Sequence, residues 1–166
     1  RPARLQMLAI GLQESGLTER VQRDNGPARG LWQMERDGGV RGVLRYPSTQ
    51  DLAREVCRAR GCEEDAQHVW AALASDDVLA AAFARLLLWT DPFKIPADEN
   101  GCWQLYLRTW RPGKPHRPLG RRRAQKRAQI VMQLRRAQPR LALGRVGDVG
   151  ELVAHAHVDV AAENVL

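Results

Sequence analysis

Apolar residues recur at helical spacing through most of the first 110 positions of this chain. Leu5, Leu8, Ala9 and Leu12 lie three and four residues apart, so the first segment reads as a helix packing that face inward and ending at Glu14. Residues 16–30, between Gly16 and Gly30, read as an irregular loop. After Gly38-Gly39 a short helix is expected near Val40–Arg45. Ser48, with Asp51 three residues later, reads as the N-cap of a helix over Thr49–Arg60 that Gly61 stops. Glu63–Ala74 gives another helix, with Val69, Trp70 and Leu73 inside. Asp76 or Asp77 then opens the most apolar segment, Val78–Trp89, predicted as the central core helix. Asp91-Pro92 and Ile95-Pro96 form a rigid loop, and Asp98 opens a helix carrying Trp103, Leu105, Tyr106, Leu107 and Trp110. No stretch alternates apolar and polar positions as a half-buried strand does, so the predicted fold is mainly α.

Composition narrows this picture. A chain of 166 residues with 44% apolar content is long enough for one domain with a proper core. It contains no apolar run of about eighteen residues, so no transmembrane segment is expected. The first residues, Arg1-Pro2-Ala3-Arg4, show neither a hydrophobic leader core nor an initiator Met, as in a fragment or a trimmed chain. Cys57, Cys62 and Cys102 are an odd set. A Cys57–Cys62 bridge would need the helix through Cys57 to break near Gly61. A metal site would need more ligands than the nearby His68, so free thiols are the preferred reading and neither metal nor cofactor is expected.

Charge divides the chain. Residues 1–99 hold 13 Lys/Arg and 15 Asp/Glu, whereas residues 100–147 hold 13 Lys/Arg and no acid. Composition shifts sharply near residue 119, giving a helical domain over 1–118 and a basic, poorly structured extension over 119–166. That extension is either a tail whose basic segment, 108–145, binds anionic polymers, or a segment that replaced the usual end of the fold. The second reading is preferred.

The candidate chemistry lies near the start. The apolar run Leu5-Gln6-Met7-Leu8-Ala9-Ile10-Gly11-Leu12-Gln13 ends in Glu14-Ser15, and further on comes Gly26-Pro27-Ala28-Arg29-Gly30-Leu31-Trp32-Gln33. A carboxylate at the end of a packed helix is partly shielded from water. Desolvation raises its pKa, as a general acid near neutral pH requires. Gly26 and Gly30 would let a sugar approach the backbone. Trp32 offers a flat apolar face with an N–H donor, and Gln33 a neutral donor and acceptor.

This order of motifs resembles the lysozyme-like superfamily, in particular soluble lytic transglycosylases and goose-type lysozymes. The resemblance covers roughly residues 3–118 and is sharp only over 8–35. It implies cleavage of peptidoglycan glycan strands between N-acetylmuramic acid and N-acetylglucosamine, with Glu14 as acid and then base. It also implies that Ser15 orients Glu14 and that Gln33 contacts N-acetyl groups. A hydrolase would need a second carboxylate; Asp24, Glu35 and Asp37 are available and Glu35 is preferred. Lytic transglycosylases also carry a late Tyr-Asn pair whose tyrosine faces the glutamate. Tyr106 stands in a suitable helix, but Leu107 replaces the Asn, and Trp103, Tyr106 and Trp110 also fit a plain core stripe. The resemblance further implies a monomeric phage or prophage product, held in the bacterial cytoplasm before lysis or carried on the virion. Two other classes stay open: a virion structural protein that kept the fold and lost activity, and a basic nucleic-acid-binding module. The second is weak, because the basic charge has neither helix-turn-helix patterning nor interleaved aromatics.

Overall fold

The computed structural model describes residues 2–111, and the domain boundary expected near 119 lies outside them. Six α-helices carry the fold: α1 Pro2–Glu14, α2 Arg41–Arg45, α3 Gln50–Arg60, α4 Ala66–Ala72, α5 Asp77–Trp89 and α6 Glu99–Trp110. The mainly helical expectation is met.

Helix α5 is buried on nearly every side. Leu79, Ala80, Ala82, Phe83, Ala84, Leu86, Leu87 and Leu88 are all in the core, the pattern of a helix surrounded by others. It contacts α1, α2 and α3. Its start is fixed by Asp76, whose carboxylate accepts from the Val78 and Leu79 N–H groups at 3.0 and 2.9 Å. The Arg60 Nε donates to the same carboxylate at 2.8 Å. Burial alone would raise the Asp76 pKa, but these donors outweigh it and hold the group below the usual range.

Three details depart from the sequence reading. The face of α1 that turns inward carries Gln6, Ile10 and Gly11, while Leu5, Leu8, Ala9 and Leu12 are only half-buried. Gln6 is accepted inside because its Nε2 donates to the Cys102 carbonyl at 3.0 Å. Gly11 lets the neighbours close in: a Cβ there would lie 2.3 Å from the Leu17 side chain and 3.3 Å from the Trp32 indole nitrogen. Ser48 does not cap α3. Thr49 takes the cap position without a side-chain cap bond, and its buried hydroxyl donates to the Val43 carbonyl at 2.7 Å. Helix α4 begins at Ala66 rather than Glu63, because Asp65 supplies the cap through the Gln67 and His68 N–H groups.

The loop after α1 holds the only sheet among the described residues. Strands β1 (Ala28–Arg29) and β2 (Met34–Glu35) pair antiparallel, with Ala28 opposite Glu35 and Arg29 opposite Met34. Two-residue strands are too short to leave an alternating signature, so sequence periodicity passes over them. Beyond β2 a wide helical turn, Arg36–Val40, leads into α2. Helix α3 does break at Gly61, which is left-handed at φ +62°, and Cys57, Cys62 and Cys102 form no disulfide among the described residues. Burial pushes the Cys57 thiol up to about 12. Among the described residues no helix is long and apolar enough to cross a membrane.

Candidate active site

Glu14 is the last residue of α1, and the chain reverses directly after it through Gly16 and Leu17, both left-handed. Ser15 fixes that reversal. Its hydroxyl donates to the Leu31 carbonyl at 2.6 Å and accepts from the Leu17 N–H at 3.0 Å. The end of α1 is thereby fastened to the β1–β2 loop. Ser15 therefore holds Glu14 through the backbone, not by a side-chain bond.

The carboxyl of Glu14 is half-buried and has one side-chain hydrogen-bond partner among the described residues. The hydroxyl of Tyr106, from α6, donates to its Oε1 at 2.5 Å across 92 residues of sequence. Burial raises the Glu14 pKa, and the tyrosine bond partly offsets that rise by favouring the charged form. Tyr106 is itself buried, its ring 5.1 Å from that of Trp103. The core reading of Tyr106 is the one met: its ring belongs to the core and only its hydroxyl reaches the carboxylate, while Tyr106 itself does not line the cleft beside Glu14. Leu107, in the position where an Asn was sought, lines the cleft as an apolar side chain.

A cleft of about 1420 Å³ opens beside Glu14. Ser15, Gln33 and Glu35 line it together with Glu14; Gly30 and Trp32 do not. Gly30 serves packing instead of sugar approach. It is left-handed at φ +75°, and a Cβ there would sit 3.0 Å from the Leu73 carbonyl and 3.2 Å from the Ala80 methyl. Trp32 is a core residue, 8% exposed, with its indole N–H donated to the Met7 carbonyl at 2.8 Å. Its carbonyl accepts the Trp110 indole at 2.9 Å, so it ties α1, the hairpin and α6 together. Gln33 is left-handed at φ +48°, and its amide nitrogen donates to the Gly30 and Glu19 carbonyls at 2.9 and 3.3 Å. Its donor is committed to the backbone.

The candidate second acids separate clearly. Asp24 lies in an exposed turn and does not line the cleft. Asp37 does, but it is paired to Arg36 at 2.8 Å and Arg41 at 2.6 Å, and the Arg36 bond holds its pKa below the ordinary range. Glu35 lines the cleft, exposed, with no ion-pair partner among the described residues. Of the basic stretch assigned to anionic polymers, 108–145, only its first four residues are described. There Arg108 is paired to the nearly buried carboxylate of Asp91 at 2.9 Å.

Among the cleft residues that sequence reading did not assign to a site are Glu19, Tyr46, Asp91 and Phe93. Tyr46 and Phe93 each precede or follow a proline outside any periodic segment, where hydrophobic patterning carries no signal. Away from the cleft, the exposed Glu63, Asp65 and His68 place their ligand atoms within 4.8 Å of one another, with Asp65 already engaged as the α4 cap. No family model matches the chain, and neither a curated protein nor a solved structure matches it.

Proposed function

We propose that this cleft cuts the glycan strand of peptidoglycan, between N-acetylmuramic acid and N-acetylglucosamine, with Glu14 as general acid and then base. The observation that carries the reading is the half-buried Glu14, its pKa raised by burial, held by Tyr106 beside an open cleft of about 1420 Å³. A carboxylic acid that keeps its proton toward neutral pH can give it to a glycosidic oxygen. Because Tyr106 donates to Oε1, the proton of the neutral acid belongs on Oε2, the oxygen left for the substrate. As the bond breaks, the sugar gains oxocarbenium character and Glu14 becomes a carboxylate, which the tyrosine hydroxyl then stabilises. The carboxylate takes the proton of the muramyl C6 hydroxyl, and that oxygen closes an anhydro ring. Ring closure uses a nucleophile already attached to the substrate, so little entropy is lost in bringing it to the reacting carbon.

Glu35 supports a second reading, hydrolysis, because it shares the cleft and has no ion-pair partner among the described residues. In that case it would position water for attack. Turbidity loss of purified cell walls, with wild type beside Glu14→Gln, tests the common core of both readings. General acid catalysis is worth about 10²–10⁴-fold, so the variant is expected to keep no more than about 1% of the rate. Retained lysis refutes the assignment of Glu14. Mass spectrometry of the released glycan separates the two readings: anhydromuramic ends support ring closure. Reducing ends, with a large rate loss in Glu35→Gln, establish hydrolysis.

A further inference from the structure

Among the described residues three large apolar side chains are exposed: Val21 at 40%, Tyr46 at 45% and Phe93 at 71%. A lone exposed apolar residue is ordinary. Here both aromatic ones line the cleft that holds Glu14, and Val21 does not. Each aromatic also rises from a pinned backbone. The Tyr46 carbonyl accepts from the Thr49 and Gln50 N–H groups, both at 2.9 Å, and from the Thr49 hydroxyl at 3.3 Å. The Tyr46 N–H donates to the Gly42 carbonyl at 2.9 Å. Phe93 is fixed through Asp91, which accepts its N–H at 3.1 Å and also holds Arg108, whose guanidinium lies 5.9 Å from the ring centroid. Two wet rings on braced backbones, in one cleft, are what a stacking ligand needs: a large apolar face whose ordering cost is already met.

We propose that Tyr46 and Phe93 are the sugar-stacking platforms of this cleft, each taking the apolar face of one pyranose ring in a β-1,4-linked N-acetylated aminosugar chain. The inference rests on the carbohydrate reading of the cleft and adds the residues that register the strand along it. A pyranose with equatorial substituents turns its C–H groups to its two faces, so a flat ring buries them while the hydroxyl and acetamido groups stay at the edge, free to hydrogen-bond. Aromatic platforms also suit nucleobases. The charge balance of the cleft argues against that ligand: Glu14, Glu19, Glu35, Asp37 and Asp91 outnumber Arg23, Arg108 and Arg111 in its lining, and Arg108 is already paired to Asp91.

The test is calorimetric titration of chitotetraose into the full chain carrying Glu14→Gln, which binds without cutting. Adding Tyr46→Ala or Phe93→Ala is expected to weaken Kd about tenfold, or about 1.4 kcal/mol. Tyr46→Phe and Phe93→Tyr, which keep a ring, should stay within about twofold of the parent, and Val21→Ala should change nothing. Circular dichroism verifies that each variant is folded. The proposal is overturned if the parent does not bind the tetraose, if neither alanine change alters Kd, or if the ring-keeping variants weaken as much as the alanines. Tighter binding of a single-stranded oligonucleotide than of chitotetraose overturns it too. Failure of the catalytic reading looks different: the Glu14→Gln parent would still lyse walls, whatever the aromatic variants do.

Discussion

At the scale of single residues, Glu14 sets a pH dependence whose sign is fixed. Burial raises its pKa above the ordinary 4.5, so the folded chain holds this proton more tightly than the unfolded chain. Stability from such a group is full below the unfolded value and is lost as pH climbs through the folded one. At neutral pH the wild type therefore carries a cost that an amide does not. Glu14→Gln is expected to melt above wild type at about pH 7, with the gap closing by about pH 4 in scanning calorimetry. A gap that ignores pH contradicts the assignment of burial as the cause. Tyr106→Phe removes the one bond that lowers the Glu14 pKa. Its activity profile on wall suspensions should keep the alkaline limb at higher pH than wild type, and an unmoved limb means the hydroxyl does not tune the acid. The place of Glu14 at the end of α1 was legible in the sequence because the apolar run stops there, before Ser15 and the glycine-rich stretch. Trp32 and Gly30 belong to the same stretch and were misassigned. Motif order shows that residues are neighbours, but not which of them faces the cleft and which faces Leu73 or Met7.

Elements repeat this lesson with backbone geometry added. The β1–β2 hairpin is seated on α4 and α5 through Gly30, where the left-handed backbone and the Leu73 carbonyl leave no room for a methyl. Gly30→Ala should cost about 2 kcal/mol or more, from the left-handed penalty and overpacking together. Chemical denaturation reads that cost. A change below about 0.5 kcal/mol would mean the hairpin shifts freely, against the tight contacts described. At the start of α5, Asp76→Ala should cost about 1–2 kcal/mol near pH 7 from the lost cap, the partly exposed Arg60 pair adding little. The Asp76 pKa lies below its ordinary 3.8, so its contribution is present above that pH and fades as pH falls through the folded value. The deficit of the variant should accordingly shrink as pH falls below 3.8, and a constant deficit would point to packing instead. Helices α5 and α6 were legible because periodicity agrees with the Asp76 and Asp98 caps, and α3 because periodicity agrees with the Gly61 stop although its expected cap fails. The inward face of α1 was not. A count of apolar positions puts Gln6 and Gly11 outside, whereas a reachable carbonyl and a close contact bring them in.

For the molecule as a whole, charge and core separate along the chain. The buried cluster of the described residues runs from Ile10 to Tyr106, while residues 100–147 carry 13 basic groups and no acid. A chain ending after Pro118 is expected to keep cooperative melting and its helical spectrum. The full chain should bind heparin or teichoic acid with an affinity that falls steeply as salt rises, and the shortened chain should lose most of that slope. An insoluble or non-cooperative shortened chain would show that later residues complete the core. One contact gives this order along the chain a temporal meaning. The Glu14 carboxylate and the Tyr106 hydroxyl stand 92 residues apart, near opposite ends of the described region. During synthesis the acid emerges well before its tyrosine partner and waits, hydrated, until α6 is made and docks. A ribosome-bound or prematurely terminated chain that lacks α6 therefore carries the carboxylate without the tyrosine hydroxyl beside it.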